Sequence, residues 1–111
     1  MTNERNKEAE KRLKIALEIL KKYKISEPQC QIACEDEKVR VYFFWIYGWK
    51  AFVTLAKRLG IKPKMVRSGE EFYDVWKFEY EEVEYICEVP SRVSGWIEEI
   101  FFGEEILEVE K

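Results

Sequence analysis

Apolar residues recur at helical spacing through the first quarter of the chain. Ala9, Leu13, Ala16, Leu20 and Tyr23 fall four, three, four and three residues apart, and Ile15, Leu17 and Ile19 widen the stripe. The spacing predicts a helix over residues 5–24, closed off before Pro28, since the residue ahead of a proline avoids the α region. The period then changes to two. Cys30, Ile32 and Cys34 alternate with Gln29, Gln31, Ala33 and Glu35, and Val39, Val41, Phe43 and Trp45 alternate with Arg40, Tyr42 and Phe44. Strands over 29–35 and 38–46 follow, joined by a turn whose tip is Asp36-Glu37. That tip sets Cys34 against Val39, Ile32 against Val41 and Cys30 against Phe43, so one face of the hairpin is wholly apolar.

Helical spacing returns at 49–59, with Trp49, Phe52, Val53, Leu55, Ala56 and Leu59 as the stripe. Gly60 and then Pro63 give the stop signal. Residues 61–70 read as a basic connector containing Ser68-Gly69. A second hairpin covers 72–80 and 83–89 and turns at Glu81-Glu82, setting Trp76, Phe78 and Tyr80 against Cys87, Tyr85 and Val83. Tyr73, Val75, Lys77, Glu79, Glu84, Ile86 and Glu88 form its other face. After Pro90, the spacing of Trp96, Ile97, Ile100 and Phe101 predicts a last helix, while 104–110 alternates enough for a short strand. The order α-β-β-α-β-β plus a C-terminal helix predicts an α+β fold. Its expected form is an antiparallel sheet of about four strands with two helices packed on one face.

At 111 residues the chain is expected to form a single domain, residues 1–111. A 47% hydrophobic composition excludes a disordered chain, and the longest uncharged run, Val41 to Trp49, is far short of the roughly 18–20 residues of a membrane span. The charged start of the chain lacks an apolar leader core, and three cysteines without paired spacing fit reduced thiols, so a cytoplasmic location is expected. Scarce Asn and Gln beside abundant Lys and Glu lean towards a thermostable protein. Charge is divided along the chain: +3 over residues 1–27, +5 over 28–67 and −11 over 68–111. Such asymmetry points to a partner or to self-association.

Several segments together resemble small uncharacterised α+β accessory proteins encoded by bacteriophages and integrative mobile elements. They are the link Lys24-Ile25-Ser26-Glu27-Pro28, the aromatic strand Val39-Arg40-Val41-Tyr42-Phe43-Phe44, the helix end Leu55-Ala56-Lys57-Arg58-Leu59-Gly60, and the hairpin Phe78 to Val89. The resemblance spans Ile19 to Val89. The chain departs from it at Trp45–Trp49 and in its acidic tail. It implies a small viral accessory protein that acts by binding a host or rival component, such as an inhibitor of a nucleic-acid-handling or defence complex.

Candidate chemistry is sparse. The chain has no histidine, which removes the commonest general base and metal ligand. It has no glycine-rich phosphate loop, nucleophile elbow or metal-ligand pattern. No enzyme activity, catalytic residue, metal or cofactor is expected. Cys30 and Cys34 on one strand lie about 13 Å apart, too far for a disulfide or a shared zinc, and all three thiols read as small buried hydrophobes. The expected role is protein-protein contact, through Arg40, Tyr42 and Phe44 on one strand and Trp96, Phe101, Phe102, Glu98, Glu99, Glu104 and Glu105 in the acidic last third. The segment of Trp96, Ile97, Phe101 and Phe102 is able to cover the strand face of Arg40, Tyr42 and Phe44, and a second copy of the chain is the other candidate cover. The alternative is nucleic-acid binding, with bases stacked on Tyr42 and Phe44 beside Arg40 and phosphates held by Lys57, Arg58, Lys62, Lys64 and Arg67.

Overall fold

A computed structural model describes the backbone of residues 2–67 and 72–110 and the side chains of residues 7–66 and 72–103. The described residues run α1 (Thr2–Lys22), β1 (Cys30–Glu35), β2 (Lys38–Phe43), α2 (Trp45–Leu59), β3 (Lys64–Arg67), β4 (Tyr73–Tyr80), β5 (Val83–Pro90) and α3 (Ser91–Glu110). Among them no helix is long and apolar enough to cross a membrane.

Both hairpins adopt the registers that the alternation predicts. Cys34 pairs with Val39 and Cys30 with Phe43, while Trp76 pairs with Cys87 and Phe78 with Tyr85. Each turns through two residues in the left-handed region: Asp36 and Glu37 at φ 48° and 69°, Glu81 and Glu82 at φ 49° and 64°. That geometry matches the twist of the strands. Arg12 on α1 ties the two turns together. Its guanidinium donates to Glu82 Oε2 at 3.2 Å and to the Glu37 carbonyl at 3.1 Å.

The sheet differs from the expected four antiparallel strands. It has five, in the order β1-β2-β5-β4-β3, and β2 and β5 are parallel, Val41 beside Tyr85 and Phe43 beside Cys87. The extra strand, β3, lies inside the basic connector. Its four residues are too few to show a period, and it forms by pairing with β4, Met65 beside Trp76. The chain therefore leaves β2 through α2, reaches the far edge at β3, and returns inward through β4 and β5. The parallel pair is the consequence of that return.

Three helices, not two, lie on one face. α1 lies over β2, α2 over β5 and β2, and α3 over β4 and β5. Between helices and sheet runs one core that includes Ala16, Val41, Phe52, Leu55, Tyr85 and Ile97. Its centre is a chain of rings, with centroid separations of 5.6 Å for Phe43–Phe52, 5.2 Å for Phe52–Phe78 and 4.9 Å for Phe78–Tyr85.

α2 starts at Trp45, four residues before the expected Trp49, and β2 correspondingly ends at Phe43. Phe44 is the N-cap at ψ 129°, without a side-chain cap, so tertiary packing starts this helix. Its other end is as expected: Gly60 at φ 72° is the left-handed stop, and Ile61 N–H donates to the Ala56 carbonyl at 2.9 Å. α3 begins directly after Pro90 and stays helical through 104–110, so the strand alternative there does not form.

Candidate functional site

With the helices gathered on one side, no described element covers the opposite face of the sheet. Register places its residues in rows. Gln31, Tyr42, Ile86, Lys77 and Lys64 lie side by side across the five strands. Next to that row come Glu88, Val75 and Val66, and Tyr73 beside Pro90. On the other flank are Ala33, Arg40, Glu84 and Glu79. Tyr42, Ile86, Val75 and Tyr73 are half-buried by their neighbours on the sheet and Val66 is exposed. The centre of the face is thus apolar, and its flanks carry both signs of charge.

Arg40 is held on this face by two carboxylates, Glu35 at 3.1 Å and Glu84 at 3.7 Å. Such a clamp sets its guanidinium in place and balances its charge locally. Tyr42 stands beside Ile86, one strand away. Phe44 does not join them. It has left the strand, is 44% exposed, and lines a groove of about 780 Å³ between α1 and β1 together with Leu17, Ile25 and Ile32. A base-stacking platform built on both Tyr42 and Phe44 is therefore divided between two surfaces.

The C-terminal residues lie on the helical side. Trp76 Nε1–H donates to Ser94 Oγ at 2.7 Å in the core, which docks α3 on β4. Ile97 is fully buried there, and Trp96, 53% exposed, packs its ring 5.9 Å from Trp49. The segment thus leaves the face of Arg40 and Tyr42 open. Phe101 and Phe102 are half-buried and Glu98 and Glu99 exposed on α3. The side chains of Glu104 and Glu105 lie outside the described residues.

Of the basic residues, Lys62 and Lys64 line one recess with Lys77, where Glu79 and Glu84 add the opposite charge. Lys57 and Arg58 are exposed in the last turn of α2, where they favour the helix dipole. Lys62 Nζ sits 5.2 Å from the Phe102 ring centroid. Lys64 pairs across strands with Lys77 on the open face. The Arg67 side chain lies outside the described residues. Lys77 joins Tyr42 on this surface, as the sequence reading expected, but sequence alone missed that Ile86 and Val75 do so too. Their alternation in the second hairpin is plain, but only the parallel β2–β5 pair unites the two hairpins.

Among the described residues no group of histidine, cysteine, aspartate and glutamate is placed to hold a metal ion. The thiols differ from expectation in one respect: Cys34 is exposed, while Cys30 and Cys87 are buried. α1 lies over β2, one strand in from the edge strand that carries Cys34. Burial pushes the Cys30 thiol up, and burial with help from Glu88 pushes Cys87 up to about 12. A maleimide added to the native chain near neutral pH is expected to label Cys34 quickly and the other two only on unfolding. Peptide mass spectrometry reads this, and fast native labelling of Cys87 contradicts it. Above about pH 9 the folded chain keeps the Cys87 proton that the unfolded chain releases. This site's contribution to stability therefore declines between about pH 9 and about pH 12.

No protein-family model, no curated protein and no solved structure matches the chain.

Proposed function

We propose that the chain is a non-enzymatic intracellular binding protein that engages a protein partner through the open face of its sheet. One observation carries this reading: all three helices lie on the same side of the sheet, leaving an apolar centre of Tyr42, Ile86, Val75 and Tyr73 without a covering layer among the described residues. A half-apolar sheet face rimmed by both charges has the character of a protein contact, with aromatic residues at its middle. Both signs meet on the rim, Arg40 between Glu35 and Glu84 and the Lys64–Lys77 pair beside Glu79, which suits a protein surface better than a polyphosphate. The resemblance to phage and mobile-element accessory proteins adds a setting, in which the partner belongs to a host nucleic-acid-handling or defence complex and the contact inhibits it.

The test compares immobilised wild-type chain with Ile86→Glu on the open face and with Glu98→Lys, Glu99→Lys on α3, each exposed to host extract. A partner retained by the wild type and by the α3 variant, but lost with Ile86→Glu, supports the reading. Equal retention by Ile86→Glu, or none above background by any form, overturns it. Labelled single-stranded DNA and RNA are titrated in parallel by anisotropy. Binding that survives physiological salt and vanishes in Tyr42→Ala moves the open face to a nucleic-acid role.

A further inference from the structure

Helix direction and strand pairing bring three segments to one corner of the fold. Arg12 holds the middle of α1 against the hairpin turns at Glu37 and Glu82. Lys21 and Lys22, in the last turn of the same helix, therefore lie towards the opposite end of the sheet. β1 starts at that end and β2 finishes there, Cys30 beside Phe43. α2 sets out from it at Trp45. The end of α1, the link of residues 23–29 and the start of α2 thus meet, with Lys21 and Phe44 on one groove and Pro28 and Tyr47 on the next.

The tip of this corner is apolar. Ile46 and Tyr47, in the first turn of α2, are 57% and 71% exposed, and Phe44 just ahead of them is exposed as well. With Pro28 and Trp45 they line a shallow recess. Phe44 also borders the groove of Leu17, Ile25 and Ile32, so the apolar surface continues from the tip onto the flank of α1. Contiguous exposed side chains of this kind mark a contact. At the tip only Trp45 and Tyr47 carry a polar side-chain atom, each at the end of a ring that is otherwise apolar.

The charge around the tip is mostly of one sign, in a chain whose net charge is −3. Over residues 21–29 and 44–50 the charged side chains are Lys21, Lys22, Lys24 and Lys50 against Glu27, all of them exposed. α3 starts at the same end, because β5 runs parallel to β2, and its first turn adds Arg92. The described carboxylates nearest this end on the sheet, Asp74 and Glu88, belong to β4 and β5, and the side chains of Glu70 and Glu71 lie outside the described residues. Neither α2 nor α3 has an acidic residue in its first turn, although a carboxylate there would favour the helix dipole. The stabilising choice is passed over twice at one end of the molecule, and α2 carries Ile46 and Tyr47 in its place.

We propose that this corner docks on an anionic lipid surface. Phe44, Ile46 and Tyr47 enter the headgroup layer, and Lys21, Lys22, Lys24 and Lys50 lie over the lipid phosphates. Apolar insertion and attraction to anionic lipid add together in a reversible surface contact, and rings with one polar end suit the headgroup level. A protein partner is better served by both signs of charge and by side-chain hydrogen-bonding groups, as on the open face around Arg40, Glu35 and Glu84. The contact is peripheral, since among the described residues no helix is long and apolar enough to cross a membrane. Tyr42 and Ile86 take no part in it, so this inference stands apart from the proposed partner contact.

Flotation of the full chain with lipid vesicles tests it, using phosphatidylcholine alone and phosphatidylcholine with about a third phosphatidylserine. The wild type is expected to float with the anionic vesicles, to bind the neutral ones about tenfold more weakly, and to be released as salt rises to about 0.5 M. Ile46→Asp with Tyr47→Asp is expected to weaken binding by about tenfold or more. Both positions are exposed, and aspartate in a first turn favours the helix, so this variant folds, which circular dichroism checks. Lys21→Glu with Lys22→Glu is expected to weaken anionic binding by about tenfold and leave neutral binding unchanged. No binding to anionic vesicles, equal binding to both compositions, or a tip variant that binds like the wild type overturns the inference. A tip variant that still floats but no longer retains a protein from host extract also overturns it and assigns the corner to a protein contact.

Discussion

Gly48→Ala is expected to cost about 3 kcal/mol or more, lowering the melting temperature by about 15 °C. Gly48 lies in the first turn of α2 and is buried. A methyl group there would fall well inside contact distance of the Gln29 carbonyl oxygen. That oxygen cannot simply move, because it accepts the Phe44 N–H that joins the start of β1 to the end of β2. The neighbouring Phe43 Cβ, 3.4 Å from the added group, blocks retreat the other way. The helix must then lift from the sheet or the bond must break. Gly95→Ala is the control. Gly95 is exposed on α3, nothing lies within 4 Å of an added Cβ, and alanine there is expected to stabilise by about 0.5–1 kcal/mol. Urea denaturation of both variants decides the matter, and equal effects would show that the close approach at Gly48 has no energetic consequence.

The same contact explains a boundary that was not legible in the sequence. Trp45 to Trp49 has no polar N-cap and no acidic first turn, the local signals by which a helix start is read. What begins α2 there is the backbone approach of Gly48 to Gln29, a long-range event. By contrast, both hairpin registers follow from residues three to thirteen positions apart, because a one-residue slip would turn Cys30, Ile32 and Cys34, or Trp76 and Phe78, away from the core. The end of α2 was equally legible, since Gly60 needs only its own left-handed φ. β3 and the parallel β2–β5 pair depend on where distant strands settle, and neither leaves a periodic trace. The candidate surface follows the same division. Tyr42 and Arg40 are visible as the outward positions of an apolar strand, but their union with Ile86 and Val75 needs the sheet order. Phe44 is misplaced by extrapolating the strand past its true end.

Trp76→Ala is expected to be the other severe lesion, at about 4 kcal/mol. Trp76 is 2% exposed and faces α3 from β4, so truncation opens a cavity between sheet and helix. It also removes the indole donor from Ser94, a residue only 5% exposed. Ser94→Ala separates the two effects: the ring still fills its place, but its N–H loses its acceptor in the core, at about 1–2 kcal/mol. The double variant is expected to cost less than the sum of the singles by about 1 kcal/mol, since each single leaves a polar group stranded or a bond broken that the pair shares. Chemical denaturation gives the three energies, and a Trp76→Ala variant within about 1 kcal/mol of the wild type would overturn the argument. Val93 and Ile97 are buried on either side of Ser94, so this bond and their packing hold the first turns of α3 together. Released, α3 exposes Val93 and Ile97, which are buried in the intact chain. Ser94→Ala is therefore expected to speed proteolysis within α3 while the hairpins stay protected. If cleavage instead begins in β4 and β5, the bond secures the sheet itself and not the placement of α3.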